Sequence, residues 1–193
     1  MTHVLYLHGF LSSPQSAKAQ ETVSYFKRHF PDITLHVPQL SNSPSNVAAQ
    51  LMELLKRLPA LTENGVKVIG SSMGGYLATW LVEKFGGRAV LINPAVKPYE
   101  LLQDFLGQHT NPYTGEVFTL VEDDMAFLVD MDTATVNQPG AYRVMLQTGD
   151  ETLDYRQAQH KYAASALVVE EGGDHSFVDY QRHLPEIAQF LLA

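Results

Sequence analysis

Six short apolar runs recur along the chain, and most of them have no polar face. They are HVLYLH (His3–His8), TLHVP (Thr34–Pro38), VKVIG (Val66–Gly70), AVLIN (Ala89–Asn93), RVMLQ (Arg143–Gln147) and ALVVE (Ala166–Glu170). A strand with one solvated face alternates apolar and polar side chains, whereas one that is apolar on both faces must be covered from both sides. The intervening sequence supplies the cover. Ser45–Arg57 carries Val47, Leu51, Leu54 and Leu55 at helical spacing, with Leu58 following and Ser43-Pro44 as cap and first turn. Met73–Phe85 presents Leu77, Trp80 and Leu81 and stops at Gly86-Gly87. Tyr155–Tyr162 and His183–Leu192 complete the set, the latter with Leu184, Ile187, Phe190 and Leu191 on one stripe. Such alternation implies right-handed crossovers and an α/β fold, a mostly parallel sheet of about six strands flanked by helices. At 193 residues, with no repeat or linker, residues 1–193 are expected to form a single domain.

One stretch breaks the rhythm. Between Pro94 and Tyr142 no clean strand stands out, only GQHTNPYTGE and the acidic, apolar VEDDMAFLVDM. It reads either as a surface loop with one or two short helices or as a small cap, 95–141, over the strand ends.

Composition removes several classes of function. The net charge of −8 argues against binding a nucleic-acid backbone, and the absence of cysteine excludes disulfides, thiolate chemistry and Cys-based zinc sites. No apolar run approaches the roughly 20 residues of a membrane span. MTHVLYLHGF lacks a basic region followed by a long apolar stretch, so no signal peptide is expected and a cytoplasmic location is the default.

Chemistry is concentrated in VIGSSMGGYL. Gly70-Ser71-Ser72-Met73-Gly74 fits G-x-S-x-G between an expected strand and an expected helix, the setting in which that motif has mechanical meaning. A sharp turn there forces its central residue into an unfavourable backbone conformation, requires small residues two positions either side, and lifts Ser72 Oγ above the sheet near the positive end of a helix. Close packing of the helix on the sheet is the plainer use of such glycines. A phosphate loop is disfavoured, because no lysine follows them.

A serine hydroxyl needs a base within hydrogen-bond reach. Of eight histidines, His175 in EGGDHSF follows the last strand, at the sheet edge where chemistry gathers in open α/β sheets. The orienting acid should lie between serine and histidine and also end a strand. QTGDETLD offers three carboxylates: Asp150 directly after Gly149 is preferred, Glu151 is the fallback, and Asp154 suits a helix N-cap with Gln157 three residues on. Asp174 adjoins His175 and is poorly placed to reach its neighbour's ring. His8-Gly9-Phe10 follows the first strand, so the amides of Phe10 and Met73 are candidates for an oxyanion hole, with His8 ordering that loop. Leu11 and Tyr76, with the 94–142 segment, are candidates to line an acyl pocket. His3 and His8 lack metal-ligand spacing, so neither metal nor organic cofactor is expected.

In this order these features look like the α/β-hydrolase fold. Over nearly its whole length the chain resembles the small YqiA-type esterases, through LYLHGFLSSP, GSSMGGYLA, LINPAV, LQTGDETLDYRQA and VEEGGDHSF. The resemblance implies a compact hydrolase acting on carboxylic esters or thioesters, acyl-CoA among them. It also implies Ser72 as nucleophile, Asp150 as acid and His175 as base. The acid turn reads Q-T-G-D-E-T-L where the broader fold has G-x-x-D-x-x-V. Two other readings stand beside the hydrolase: a binding protein on the same scaffold without turnover, and an acyltransferase. Oligomeric state is not legible.

Overall fold

The computed structural model describes residues 2–193. Along the chain lie β1 (Thr2–Leu7), α1 (Ala17–His29), β2 (Ile33–His36), α2 (Pro44–Arg57), β3 (Val66–Ser71), α3 (Met73–Phe85) and β4 (Gly87–Ile92). Then come α4 (Pro98–Leu102), β5 (Gly107–Thr110), β6 (Val117–Leu120), α5 (Glu122–Asp130), β7 (Tyr142–Gln147), α6 (Tyr155–Lys161), β8 (Ala166–Glu170) and α7 (Leu184–Leu192).

Six strands form one sheet in the order β2-β1-β3-β4-β7-β8, with every neighbouring pair parallel. All six runs picked out in the sequence are in it. The chain steps from β1 outward to β2, then returns as β3 on the other side of β1 and proceeds to the opposite edge. Loops leaving β1 and β3 therefore diverge, and a crevice opens at their carboxyl ends.

Alternation sorts the side chains between two layers. Leu5, Leu7, Val68, Leu91 and Val144 point to the face covered by α2, α3 and α6. Val4, Tyr6, Ile69, Val90 and Met145 point to the face covered by α1 and α7. Helix α1 is not among the helices expected from the sequence. Its buried residues are Ala19, Thr22 and Phe26, two of them small or polar, so its apolar stripe is faint. Thr22 is accommodated because its hydroxyl donates to the Lys18 carbonyl and meets the Tyr180 hydroxyl at 2.8 Å.

The segment 95–141 is richer than expected: it contains an antiparallel hairpin, β5–β6, where no strand was anticipated. The strands are four residues each, and although both alternate in burial only VFTL of β6 has fully buried positions, so the signal is short. Asn111 organises the hairpin turn by accepting the amides of Tyr113 and Thr114 through Oδ1. Its Nδ2 donates to the Ser12 carbonyl and to Asn42 Oδ1, fastening the hairpin to the loop after β1. Buried Asp124 fastens α5: Oδ2 accepts the Val121 amide at the start of its own helix, and Oδ1 accepts the Ser45 amide at the start of α2. Among the described residues no helix is long and apolar enough to cross a membrane.

Candidate active site

Ser72 joins β3 to α3 with φ 56° and ψ −120°, a region that a serine seldom occupies. Small neighbours are obligatory. A Cβ on Gly70 would lie 2.3 Å from the Gly74 carbonyl oxygen, and one on Gly74 would lie 1.9 Å from the Leu7 carbonyl oxygen. The Ser72 amide donates to the Ile92 carbonyl at 3.0 Å, which fixes the turn against β4. The glycines thus permit both the turn and the approach of α3 to β1.

The structure brings Ser72, His175 and Asp150 together from the carboxyl ends of β3, β8 and β7. His175 Nδ1 lies 3.0 and 2.8 Å from the two Asp150 oxygens. An ionised carboxylate only accepts, so the ring proton belongs on Nδ1. Nε2 is then free to accept from Ser72 Oγ, 3.0 Å away. The Asp150 side chain is only 1% exposed, and its Oδ1 also accepts the amides of Thr152 and Leu153. Glu151 does not compete for the ring; its carboxylate accepts the main-chain amide of His175 at 3.0 Å. That bond holds the Glu151 carboxyl below its usual range. Asp154 caps α6, accepting the Arg156 amide.

Three further residues, none of them expected from the sequence, hold the histidine loop. Gln147 accepts the amides of Asp174 and Val178 and donates to the Val178 carbonyl. Asn93, at φ 40°, donates to the Asp174 carbonyl while accepting the Gln147 amide. Lys18 donates to the Ser176 carbonyl at 2.7 Å. The stretches LINPAV and LQTGDE held the signal, since Asn93 and Gln147 are polar residues at the ends of otherwise apolar strands.

The loop after β1 lies beside the serine: a Cβ on Gly9 would sit 3.2 Å from Ser72 Cβ. Buried His8 orders it. Its Nε2 accepts the Leu40 amide at 3.0 Å, so Nδ1 carries the proton and donates to the Gly9 carbonyl at 2.9 Å. Burial lowers the His8 pKa below 6.5, against the opposing pull of the Gly9 carbonyl. Among the described residues the Phe10 and Met73 amides have no hydrogen-bond acceptor. The Phe10 ring is pinned edge-on to Phe118 of β6, with centroids 5.8 Å apart.

A cavity of about 290 Å³ opens over Ser72 and His175. Phe10, Leu11 and Tyr113 line it, as do Ser12, Ser16 and Lys18. Leu11 thus borders the cavity over Ser72, and the hairpin reaches it through Tyr113. Tyr76 is not brought there. It is buried in α3, and its hydroxyl donates to the Leu128 carbonyl of α5, so its direction on the helix turns it inward.

A parallel sheet crossing over in this order, with a positive-φ serine after β3 and a histidine loop after β8, defines an α/β-hydrolase fold. Est1E from Butyrivibrio proteoclasticus, solved with ferulic acid bound, matches it with a TM-score of 0.74 over 100% of this chain and 88% of that one, at 10% identity. Alpha/beta hydrolase domain-containing protein 10 from mouse matches with a TM-score of 0.65 over 97% of this chain and 87% of that one, at 17% identity. The chain belongs to the Uncharacterised protein family UPF0227, whose model matches residues 3–192. A UPF0227 protein of Shewanella baltica (strain OS155) is 23% identical over 98% of this chain and 99% of its own length. This is the YqiA-type group that the sequence resembles.

Proposed function

We propose that this protein is a serine hydrolase that cleaves carboxylic esters or thioesters through an acyl-enzyme. The observation that carries the reading is the unbroken path from Ser72 Oγ to His175 Nε2 at 3.0 Å and from His175 Nδ1 to Asp150 at 2.8 Å. Ser72 Oγ attacks the carbonyl carbon as its proton passes to His175 Nε2, and Asp150 steadies the imidazolium that results. The amides of Phe10 and Met73, which have no acceptor among the described residues, receive the developing oxyanion. Collapse of the tetrahedral intermediate expels an alcohol or thiol, which leaves with the proton from His175. Water then repeats the sequence and releases a carboxylic acid. The fold neighbours lend support, since they include an esterase domain from Rhodothermus marinus and Est1E holding ferulic acid, itself a carboxylic acid.

A fluorophosphonate probe tests the reading. Wild-type protein is expected to be labelled on Ser72, and Ser72→Ala and His175→Ala are expected to stay unlabelled. Labelling that survives Ser72→Ala refutes it. Hydrolysis of p-nitrophenyl butyrate without an added alcohol separates a hydrolase from a binding protein and from an acyltransferase that needs a second acceptor.

A further inference from the structure

Lys18 is the only Lys, Arg, Asp or Glu residue lining the cavity over Ser72. It stands in the first turn of α1, and one of its three N–H groups is occupied by the Ser176 carbonyl at 2.7 Å. The other two have no acceptor among the described residues, and no carboxylate comes within 4.0 Å of Nζ. Asp174, Glu21 and Asp150 attract it from farther off, yet burial outweighs them and lowers its pKa. Fastening Ser176 needs only one neutral donor, so two N–H groups and the positive charge of Lys18 remain free to meet an anion in the cavity.

The surroundings indicate what that is. The chain as a whole is acidic, with a net charge of −8, so an anion gains from its field only where the sign is locally reversed. Within this cavity the one lysine or arginine side chain is that of Lys18. The hydroxyl-bearing residues Ser12, Ser16 and Tyr113 share the cavity, and the Ser16 side chain is not spent on capping α1. One ammonium balances one negative charge, which suits a carboxylate rather than a phosphate dianion.

We propose that the substrate is an ester or thioester carrying a free carboxylate, seated on Lys18 while its scissile carbonyl rests on Ser72. The inference rests on the serine-hydrolase reading and names the substrate class of the same site.

Two pairs of esters test it. Mono-p-nitrophenyl glutarate and its terminal carboxamide place or remove the charge on the acyl side. The pair 4-acetoxybenzoate and 4-acetoxybenzamide does so on the leaving-group side. The wild-type protein is expected to prefer the carboxylate in one pair by about tenfold or more in kcat/KM. Lys18→Met is expected to cut that preference about 10–100-fold, the range of a charge-assisted hydrogen bond, and Lys18→Arg to restore most of it. A preference near unity in both pairs for wild-type protein overturns the proposal, and needs no variant to fold. So does a parallel fall of charged and neutral esters in Lys18→Met, which would reduce Lys18 to a fastener of the histidine loop. A wild-type protein that fluorophosphonate fails to label on Ser72 sinks the hydrolase reading itself, whereas a labelled enzyme indifferent to charge sinks this inference alone.

Discussion

Glu151 holds the main chain of His175 while Asp150, its immediate neighbour, holds the ring: the first accepts the backbone amide at 3.0 Å and the second accepts Nδ1–H at 2.8 Å. Two adjacent carboxylates after β7 thus divide one histidine between them. Removing the backbone tether should loosen the imidazole without touching the path to Ser72. Glu151→Ala is expected to lower kcat about tenfold with little change in KM, since small misplacements of a reacting group are expensive. Glu151→Gln retains an acceptor oxygen and should keep most of the rate. Steady-state kinetics on a neutral ester decides it.

The backbone of Ser72, at φ 56°, is held in place by its surroundings. Strain of this kind amounts to roughly 1–3 kcal/mol and is relieved by glycine but not by alanine. Ser72→Gly should therefore be more stable than Ser72→Ala by about 1–2 kcal/mol in urea unfolding, both being inactive. Equal stabilities would mean that the turn costs nothing.

Asp124 accepts amides at the starts of two helices, α5 and α2. A helix N-cap contributes about 1 kcal/mol, so Asp124→Ala should destabilise by about 2 kcal/mol. Asp124→Asn, with one carbonyl oxygen left, should lose about half as much. Denaturant midpoints of the three proteins provide the comparison.

Acid should weaken the fold through His8. Its folded pKa lies below 6.5 because of burial, so the unfolded chain binds the proton first as pH falls. Stability is then lost as pH drops through about 6.5, and the loss is complete below the folded value. His36, lowered by burial and by the neighbouring His3, acts in the same direction. His8→Gln should accordingly shrink, without abolishing, the difference in urea midpoint between about pH 7.5 and about pH 5.

Much of the sheet could be read in advance, because strands such as AVLI and RVML are apolar on both faces and only one architecture buries them. The serine turn was legible for the same reason: sterics leave few uses for Gly70 and Gly74 around Ser72. The losses have physical causes too. Helix α1 buries Ala19 and Thr22, residues that carry almost no hydrophobic signal. The β5–β6 hairpin depends on Asn111 bonding to Ser12 and Asn42, contacts 99 and 69 residues apart in the chain. Tyr76 turns inward because its hydroxyl meets the Leu128 carbonyl, a partner 52 residues away in the chain. Lys18 and Glu151 act through backbone carbonyls and amides of distant loops, which no local pattern encodes.

The bonds from Asn111 and the edge of Phe118 against Phe10 give the hairpin no independence from the chemistry beneath it. A transplant of residues 107–120 from a relative would carry its own fit to the first loop, and would displace Phe10 beside Ser72 unless Ser12 and Asn42 travelled with the graft. In this scaffold, exchanging the roof also means re-seating the foundation.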